Sequence, residues 1–262
     1  MNWTYIMYLP AIVSALWPLA LLLTKKHPTR AQLLLSATML IEAFAFTIAT
    51  VIFRARTHSL FIYQYLLQLA AVLIAPLFYI AVCALAEPRG TSIRQRHCLL
   101  PPLLFIIGLS IGATLLGPRR YDQMALLFRH ATLHPLPGDT TWNFMLLWSY
   151  PLFSLLIIIH SLSLLLLASR KSILFQRRFN SYYAENIHAP KLNSRPVLLL
   201  SWLFLPLAAA LIILIALRPP FSKHILIALS LLLSLLQLLL GRYTYSLDYD
   251  ARYLAHLIRS KL

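Results

Sequence analysis

Long apolar segments alternate with short polar connections along this chain of 262 residues. Seven segments are long enough to be membrane-spanning helices, because about 20 helical residues cross the roughly 30 Å of bilayer hydrocarbon. They comprise residues 5–24, 31–53, 60–86, 98–117, 142–168, 197–217 and 221–241. The pattern predicts an all-α polytopic membrane protein, with a seven-helix bundle over residues 1–241 and a short tail over residues 242–262.

The lysine and arginine residues between these segments lie mostly on one side of the predicted membrane. If the N-terminus is outside, 16 of the 23 basic residues fall in cytoplasmic connections. Cytoplasmic loops carry such an excess in membrane proteins. The distribution therefore predicts an external N-terminus and a cytoplasmic C-terminus.

Composition excludes an ordinary soluble domain. Hydrophobic residues make up 60% of the chain and charged residues only 11%, whereas soluble domains average about 25% charged residues. The net charge of +16 would also suit nucleic acid, but the basic residues are spread through short connections instead of one soluble face. We expect membrane lipids as partners and no direct binding of nucleic acid.

Glu42 is the residue that is most costly to place in the bilayer. It lies in the middle of the second predicted span, with no charged residue among the 11 positions on either side. A carboxylate at this depth costs several kcal/mol, so we expect Glu42 to face the bundle interior, protonated or hydrogen-bonded. His160 lies at a compatible depth in the fifth span and is a candidate partner. A structural contact and a ligand-binding or signal-coupling role are both open.

Gln64 and Gln68 lie one helical turn apart in the third predicted span. At that spacing both amides share a helix face and would line the outer half of the bundle. They are candidates for ligand binding or coupling, and equally for hydrogen bonds between helices.

The motifs that suggest catalysis or metal binding are incomplete. His134 and Asp139 fit the His-x4-Asp spacing of glycerolipid acyltransferases, but the rest of that pattern is missing. His130 and His134 have the spacing of metal ligands on a helix, yet Pro135 would end a helix at that point. We therefore expect a protein without catalytic residues, metal or cofactor.

Two cytoplasmic segments, residues 169–195 and 242–262, are long enough to bind a partner. Both combine basic with aromatic residues, as surfaces that bind anionic lipid do. A lipid surface and a cytoplasmic signalling protein are equally open as partners. The candidate surface residues are Arg177, Arg178, Tyr182, Tyr183, Arg252 and Arg259.

Several short motifs resemble one known family. Residues 75–79 (Ala-Pro-Leu-Phe-Tyr) precede a basic loop, and residues 97–101 (His-Cys-Leu-Leu-Pro) open the fourth span. They resemble the "PLFYLY … HFLP" pattern in the N-terminal membrane domain of Bacteroidetes-type AraC-like transcriptional regulators. Residues 177–183 (Arg-Arg-Phe-Asn-Ser-Tyr-Tyr) and Trp202 are also similar to the basic loop and following helix of that family.

The resemblance implies a seven-helix membrane sensor. In that family a helix-turn-helix output domain follows the seventh span, whereas here only residues 242–262 follow it. We expect either a free-standing relative that signals through a separate protein or a truncated regulator, in both cases without DNA binding. The main alternative is a small transporter or transport-complex subunit in which Glu42 and His160 form a coupled site, and a membrane lipid enzyme is a third.

Overall fold

Helices make up most of the computed structural model, which describes residues 3–54, 60–86, 97–116, 155–156, 158–175, 177 and 223–246. No strand occurs within these ranges. Four segments are long and apolar enough to cross a membrane, namely Tyr5–Thr24, Arg30–Val51, Leu69–Ala86 and Ile158–Phe175. The predicted all-helical class is confirmed for the described residues, and these four helices indicate insertion into a membrane.

The described chain contains six α-helices and two short 3-10 helices. In chain order they are the 3-10 helix Trp3–Tyr8, α1 (Leu9–Thr24), α2 (Arg30–Arg54), α3 (Leu60–Ala86), the 3-10 helix His97–Leu99, α4 (Leu100–Leu116), α5 (Ile158–Phe175) and α6 (Lys223–Ser246). Two shorter apolar stretches, His97–Gly108 and Ile227–Arg242, lie in the regions of α4 and α6.

Helices therefore occur in six of the seven predicted spans. The sixth predicted span, residues 197–217, lies outside the described residues, as does much of the fifth. α5 continues to Phe175, beyond the predicted end at residue 168. α6 likewise continues past Gly241 to Ser246, because this glycine allows close packing with another helix and does not terminate its own.

Hydrogen bonds fix the turn between α1 and α2 at both ends. The Lys25 amide donates to the carbonyl of Leu21 at 3.0 Å and closes α1. Thr29 and Gln32 form a capping box at the start of α2: the Gln32 amide donates to Oγ1 of Thr29 at 3.3 Å, and the Thr29 amide donates to Oε1 of Gln32 at 2.9 Å. A short turn with both ends closed brings α1 and α2 together as antiparallel neighbours.

Two buried apolar clusters show that α2 and α3 are also antiparallel. In the first, Ala31 and Leu35 near the start of α2 pack with residues 78–85 near the end of α3. In the second, Phe46 and Ala49 of α2 belong with Leu67 and Ala70 from the first half of α3. The two clusters lie at opposite ends of the helix pair.

α6 runs alongside α1 in the same direction. Gly241 near the end of α6 lies against the indole ring of Trp17, and the 3-10 helix Trp3–Tyr8 also contacts α6. If α6 ran the other way, Tyr8 would lie opposite residues beyond the end of α6. Leu233 and Leu236 share a cluster with Met7, as the parallel arrangement requires.

α5 runs in the same direction as α3. At its start, His160 lies beside the Cys98 carbonyl, and the Cys98 thiol is 4.0 Å from the carbonyl oxygen of Pro76. Farther along α5, Ala168 and Phe175 pack in the cluster that contains residues 78–85 of α3. α5 therefore starts beside the middle of α3 and runs towards the end of α3.

The contact between Gly241 and Trp17 gives a test of the parallel pairing of α1 and α6. A Cβ atom at Gly241 would overlap the indole ring, whereas a Cβ at Gly108 in α4 meets nothing within 4 Å. We expect Gly241→Ala to lower the free energy of unfolding by about 1–3 kcal/mol, the usual cost of overpacking, and Gly108→Ala to lower it little or not at all. Unfolding in detergent measures both.

A third variant, Trp17→Leu, separates the clash with the indole ring from other effects of the alanine at position 241. When it is combined with Gly241→Ala, the two destabilisations should not add, because the leucine leaves room for the new methyl group. Equal destabilisation by the alanines at Gly241 and Gly108 would contradict the proposed contact.

Candidate functional site

Many hydroxyl groups in the described helices find their partner within the same helix. Seven donate to the carbonyl four residues earlier, with oxygen–oxygen distances of 2.6–2.9 Å. Such bonds satisfy a hydroxyl without help from a neighbouring helix. The seven are Thr24, Thr38, Thr47, Thr50, Ser110, Ser163 and Ser234.

Four other buried polar side chains have at least one polar atom that is not satisfied in this way. Ser14, Ser230 and Gln237 are 0% exposed and Glu42 is 2% exposed. The two serine hydroxyls, Oε2 of Glu42 and both amide atoms of Gln237 have no hydrogen-bond partner among the described residues. Each unsatisfied group of this kind costs about 1–3 kcal/mol. Such a cost requires an explanation in a folded protein.

Ser14 and Glu42 lie at the same depth in the helix pair α1 and α2. The Thr50 hydroxyl donates to the carbonyl of Met7 at 3.2 Å and aligns the residues before α1 with the end of α2. Ser14 follows Met7 by seven residues and Glu42 precedes Thr50 by eight, which correspond to about 11 and 12 Å along the helices. Ala15 and Ala43 line the same groove, in agreement with this alignment.

Gln237 of α6 lies close to that depth. It precedes Gly241 by four residues, and Ser14 precedes Trp17, the partner of Gly241, by three. These separations are about 6 and 4.5 Å along the two parallel helices. Ser14, Glu42 and Gln237 therefore lie at about the same depth on three helices, and we call these three residues the polar layer.

Helix periodicity places all three residues of the polar layer on faces that pack together. Ser14 shares a face with Met7, Glu42 with Phe46 and Ala49, and Gln237 with Leu233 and Leu240, at spacings of three, four or seven residues. All five apolar neighbours belong to one buried cluster. The polar layer thus lies in the interior of the bundle and faces protein instead of lipid, as we expected for Glu42.

Pro18 adds an acceptor to the polar layer. In a regular helix the amide of residue 18 would donate to the carbonyl of Ser14, but proline has no N–H group. The Ser14 carbonyl therefore lacks its usual helical donor, next to a serine hydroxyl that is also unsatisfied among the described residues. In a membrane such freed groups are satisfied by neighbouring helices, side chains or ordered water.

His160 has a structural partner. Its Nε2 lies 3.0 Å from the carbonyl oxygen of Cys98 and donates a hydrogen bond to it. Within its own helix this carbonyl would accept from residue 101 or 102, and both are prolines without an N–H group. His160 supplies the donor that the two prolines remove.

The predicted contact between Glu42 and His160 does not occur as a hydrogen bond in the described structure, although their depths are compatible. Glu42 lies between the two clusters that join α2 to α3, and His160 reaches α3 near Pro76 through Cys98. The described bond of His160 is to Cys98. A coupling role for the pair stays a prediction.

The other predicted site residues are only partly described. Gln64 and Gln68 lie on α3, but their side chains are outside the described part of the structure. Arg177 is exposed just beyond α5. Arg178, Tyr182, Tyr183, Arg252 and Arg259 lie outside the described residues.

A groove of about 730 Å³ lies between the first half of α1 and the second half of α2. Small side chains such as Ala11, Ala15 and Ala43 line it, together with Ile12 and exposed tyrosine and phenylalanine rings. The hydroxyl of Thr47, another lining residue, is already bonded within α2. The groove is therefore suited to hydrocarbon, and we do not regard it as the polar site.

Two members of the polar layer, Ser14 and Gln237, were not predicted from the sequence. Both are neutral and therefore much less conspicuous than a buried carboxylate. Signals for them exist in the sequence, because Ser14 precedes Pro18 by four residues and Gln237 interrupts a long run of leucines. Neither signal reveals that the two residues meet at the depth of Glu42.

Comparison with known proteins gives no match: no protein-family model, curated protein or solved structure matches the chain. The resemblance to AraC-like regulators therefore stays a prediction from short motifs.

The bond between His160 and Cys98 can be tested by restoring the missing helical donor. We expect His160→Phe to lower the free energy of unfolding by about 1–3 kcal/mol, because it leaves the Cys98 carbonyl unsatisfied. In a Pro102→Ala background the same change should cost clearly less, since an alanine amide at this position can donate to that carbonyl. Unfolding of the four proteins in detergent gives the double-mutant cycle. An identical cost in both backgrounds would exclude the proposed role of His160.

Proposed function

We propose that this chain is a seven-span protein of the bacterial inner membrane that senses a signal at Glu42 and transmits it to a cytoplasmic partner. In this proposal the N-terminus is outside, the C-terminus is cytoplasmic and the protein has no catalytic activity of its own. The observation that carries the proposal is the buried Glu42 carboxyl, which has an oxygen unsatisfied by the described residues where three helices meet.

The helix directions support a count of seven spans. α1 and α3 are each antiparallel to α2, α5 is parallel to α3, and α6 is parallel to α1. α5 and α6 consequently run the same way, so the chain has to cross the bundle again between them. Residues 197–217 are the long apolar segment available in that connection.

The basic residues of the described helices support the proposed orientation. One end of the bundle holds the turn between α1 and α2 together with the ends of α5 and α6, because α1, α5 and α6 are parallel. Arg54 and Lys223 lie at the other end. The end with more basic residues, which we assign to the cytoplasm, carries Lys25, Lys26, Arg30, Arg170, Lys171, Arg177 and Arg242.

The position of Glu42 suggests how a signal would leave the membrane. Protonation or ligand binding changes the cost of burying this carboxyl, and therefore favours one packing of α1, α2 and α6 over another. α6 ends at Ser246, within residues 242–262, and α5 ends at Phe175, within residues 169–195. We propose these two segments as the surface for a cytoplasmic signalling protein, in contact with anionic lipid.

One observation favours transport as a second candidate function. Ser230 precedes Gln237 by two turns on the same face of α6, and its buried hydroxyl also lacks a hydrogen-bond partner among the described residues. Ser230 and Gln237 form a polar stripe from the polar layer towards the start of α6, which is the outer side in the proposed orientation. Such a stripe would suit a route for protons or a small polar substrate.

Glu42→Gln tests whether the carboxyl acts through a proton. The amide keeps the size and hydrogen bonds of the carboxyl but does not titrate, so folding should be preserved and signalling lost. A photocrosslinker at position 177 in native membranes should give a yield of protein adducts that changes with external pH in the wild type and not in Glu42→Gln. Glu87→Gln, outside the predicted spans, is the control.

Two results would speak against this sensing role. If Glu42→Leu changes neither stability nor the crosslinking response, Glu42 has no part in signalling. If purified protein in vesicles with a trapped pH-sensitive dye conducts protons and Glu42→Gln abolishes the flux, the transport function replaces the sensing function.

Reporter fusions test the proposed topology. A reporter that is active only outside the cytoplasm should be silent after Leu262 and active when it is inserted into residues 118–141. A fluorescent protein that folds only in the cytoplasm should give the opposite result at the same two positions. Activity of the external reporter after Leu262 would exclude the proposed orientation.

A further inference from the structure

We propose that Ser14, Glu42 and Gln237 enclose an internal water site, and that the proton on Glu42 exchanges with solvent through this water. The inference deepens the proposed function, because it names the ligand of the polar layer as water together with the proton it carries. It depends on the interior position of Glu42, and it does not require a particular signalling partner.

The hydrogen-bonding groups of the polar layer match water better than other small ligands. Gln237 offers a donor and an acceptor, and neither has a partner among the described residues; the hydroxyl of Ser14 can act as both. A bare cation would use only the acceptors and would leave Nε2 of Gln237 unsatisfied. An anion would use only the donors. Water donates and accepts, and buried water commonly makes about three hydrogen bonds to groups of this kind.

The Ser14 carbonyl strengthens the case for water. Pro18 cannot donate to it, so both the carbonyl and the hydroxyl of this single residue require a partner. A serine hydroxyl in these helices can bond to the carbonyl four residues earlier, as Ser234 does at 2.7 Å. Ser14 does not, which leaves its hydroxyl available to bind water.

Within the described helices, no positive side chain is available to neutralise an ionised Glu42 in this layer. α1 has no titratable residue between Tyr8 and Lys25, and α6 has none between His224 and Arg242. On α3, Tyr79 and Cys83 face the cluster at the other end of α2. The sequences of α4 and of residues 197–217 contain no titratable residue at all.

His160 on α5 donates its described bond to Cys98 and does not compensate Glu42. A carboxylate without a counter-ion in a dry interior is far more costly than a protonated carboxyl that bonds to water. The layer therefore holds Glu42 with its proton, and the neighbouring water supplies the path for exchange.

Ser230 indicates the side from which the proton enters. It lies seven residues before Gln237, about 10.5 Å along α6, and its buried hydroxyl has no partner in the described part of the chain. This distance exceeds one hydrogen bond, so a chain of more than one water joins Ser230 to the polar layer. The start of α6, beyond Ser230, is the outer end in the proposed orientation.

Infrared difference spectroscopy of the full chain in lipid nanodiscs tests the site directly. The wild type at neutral pH should show the carbonyl stretch of a protonated carboxyl, and Glu42→Gln should abolish it. In D₂O the band should shift within the mixing time of the experiment, because water reaches the proton. Ser14→Ala and Gln237→Leu should each move the band, since each removes a group that bonds to the water.

Ser234→Ala is the matched control, because Ser234 is buried on the same face of α6 but its hydroxyl is bonded within the helix. It should leave the band unchanged. If Gln237→Leu does not fold, Gln237→Asn, which withdraws the amide by one methylene group, must move the band instead.

Three results would overturn the inference. They are an ionised Glu42 at neutral pH, a carbonyl band whose position is the same in Ser14→Ala and Gln237→Leu as in the wild type, and a band of the protonated carboxyl that does not shift in D₂O. The last would indicate a dry, direct bond from Glu42 to a protein group. If the band exchanges in D₂O but the crosslinking yield responds to pH equally in the wild type and in Glu42→Gln, only the proposed signalling role is rejected.

Discussion

The organisation of this protein depends on one constraint, the high cost of an unsatisfied polar group in a medium without water. Hydroxyls such as Thr38 and Ser163 meet this demand by bonding back to their own helix. Where proline removes a backbone donor, a neighbouring side chain takes its place, as His160 does for Cys98. Apolar clusters pack the helices together, and a hydrogen bond between helices forms where one of them cannot satisfy its own backbone group.

The sequence predicted the helices that the structure describes, because a long apolar segment in a bilayer has to satisfy its backbone groups within a helix. It also predicted the interior position of Glu42, since a carboxylate facing lipid would be too costly. It could not predict which helices are neighbours. The contact of α1 with α6 depends on the fit of Gly241 to Trp17, and no local pattern connects two residues so far apart in the chain.

The candidate site illustrates the same limit at the level of single residues. Depth alone suggested His160 as a partner for Glu42, yet depth does not say which side of a helix meets which neighbour. Two adjacent prolines, Pro101 and Pro102, leave the Cys98 carbonyl without a backbone donor, and His160 bonds to that carbonyl instead of Glu42. This need becomes apparent only when the backbone donors are counted. Ser14 and Gln237 were missed because neutral polar residues are common in membrane helices and carry little information by themselves.

The pairing of the first described helix with the last has a consequence for biosynthesis. Ser14 and Glu42 emerge from the ribosome before Gln237, which follows Glu42 by 195 residues. At about 5–20 residues per second, the delay is roughly 10–40 s. During this time the Glu42 carboxyl lies in the membrane without α6 packed against α1 and α2. The α1–α2 hairpin must therefore be held by lipid, the insertion machinery or other helices until α6 arrives, and synthesis of the last helix completes the interior that the first two began.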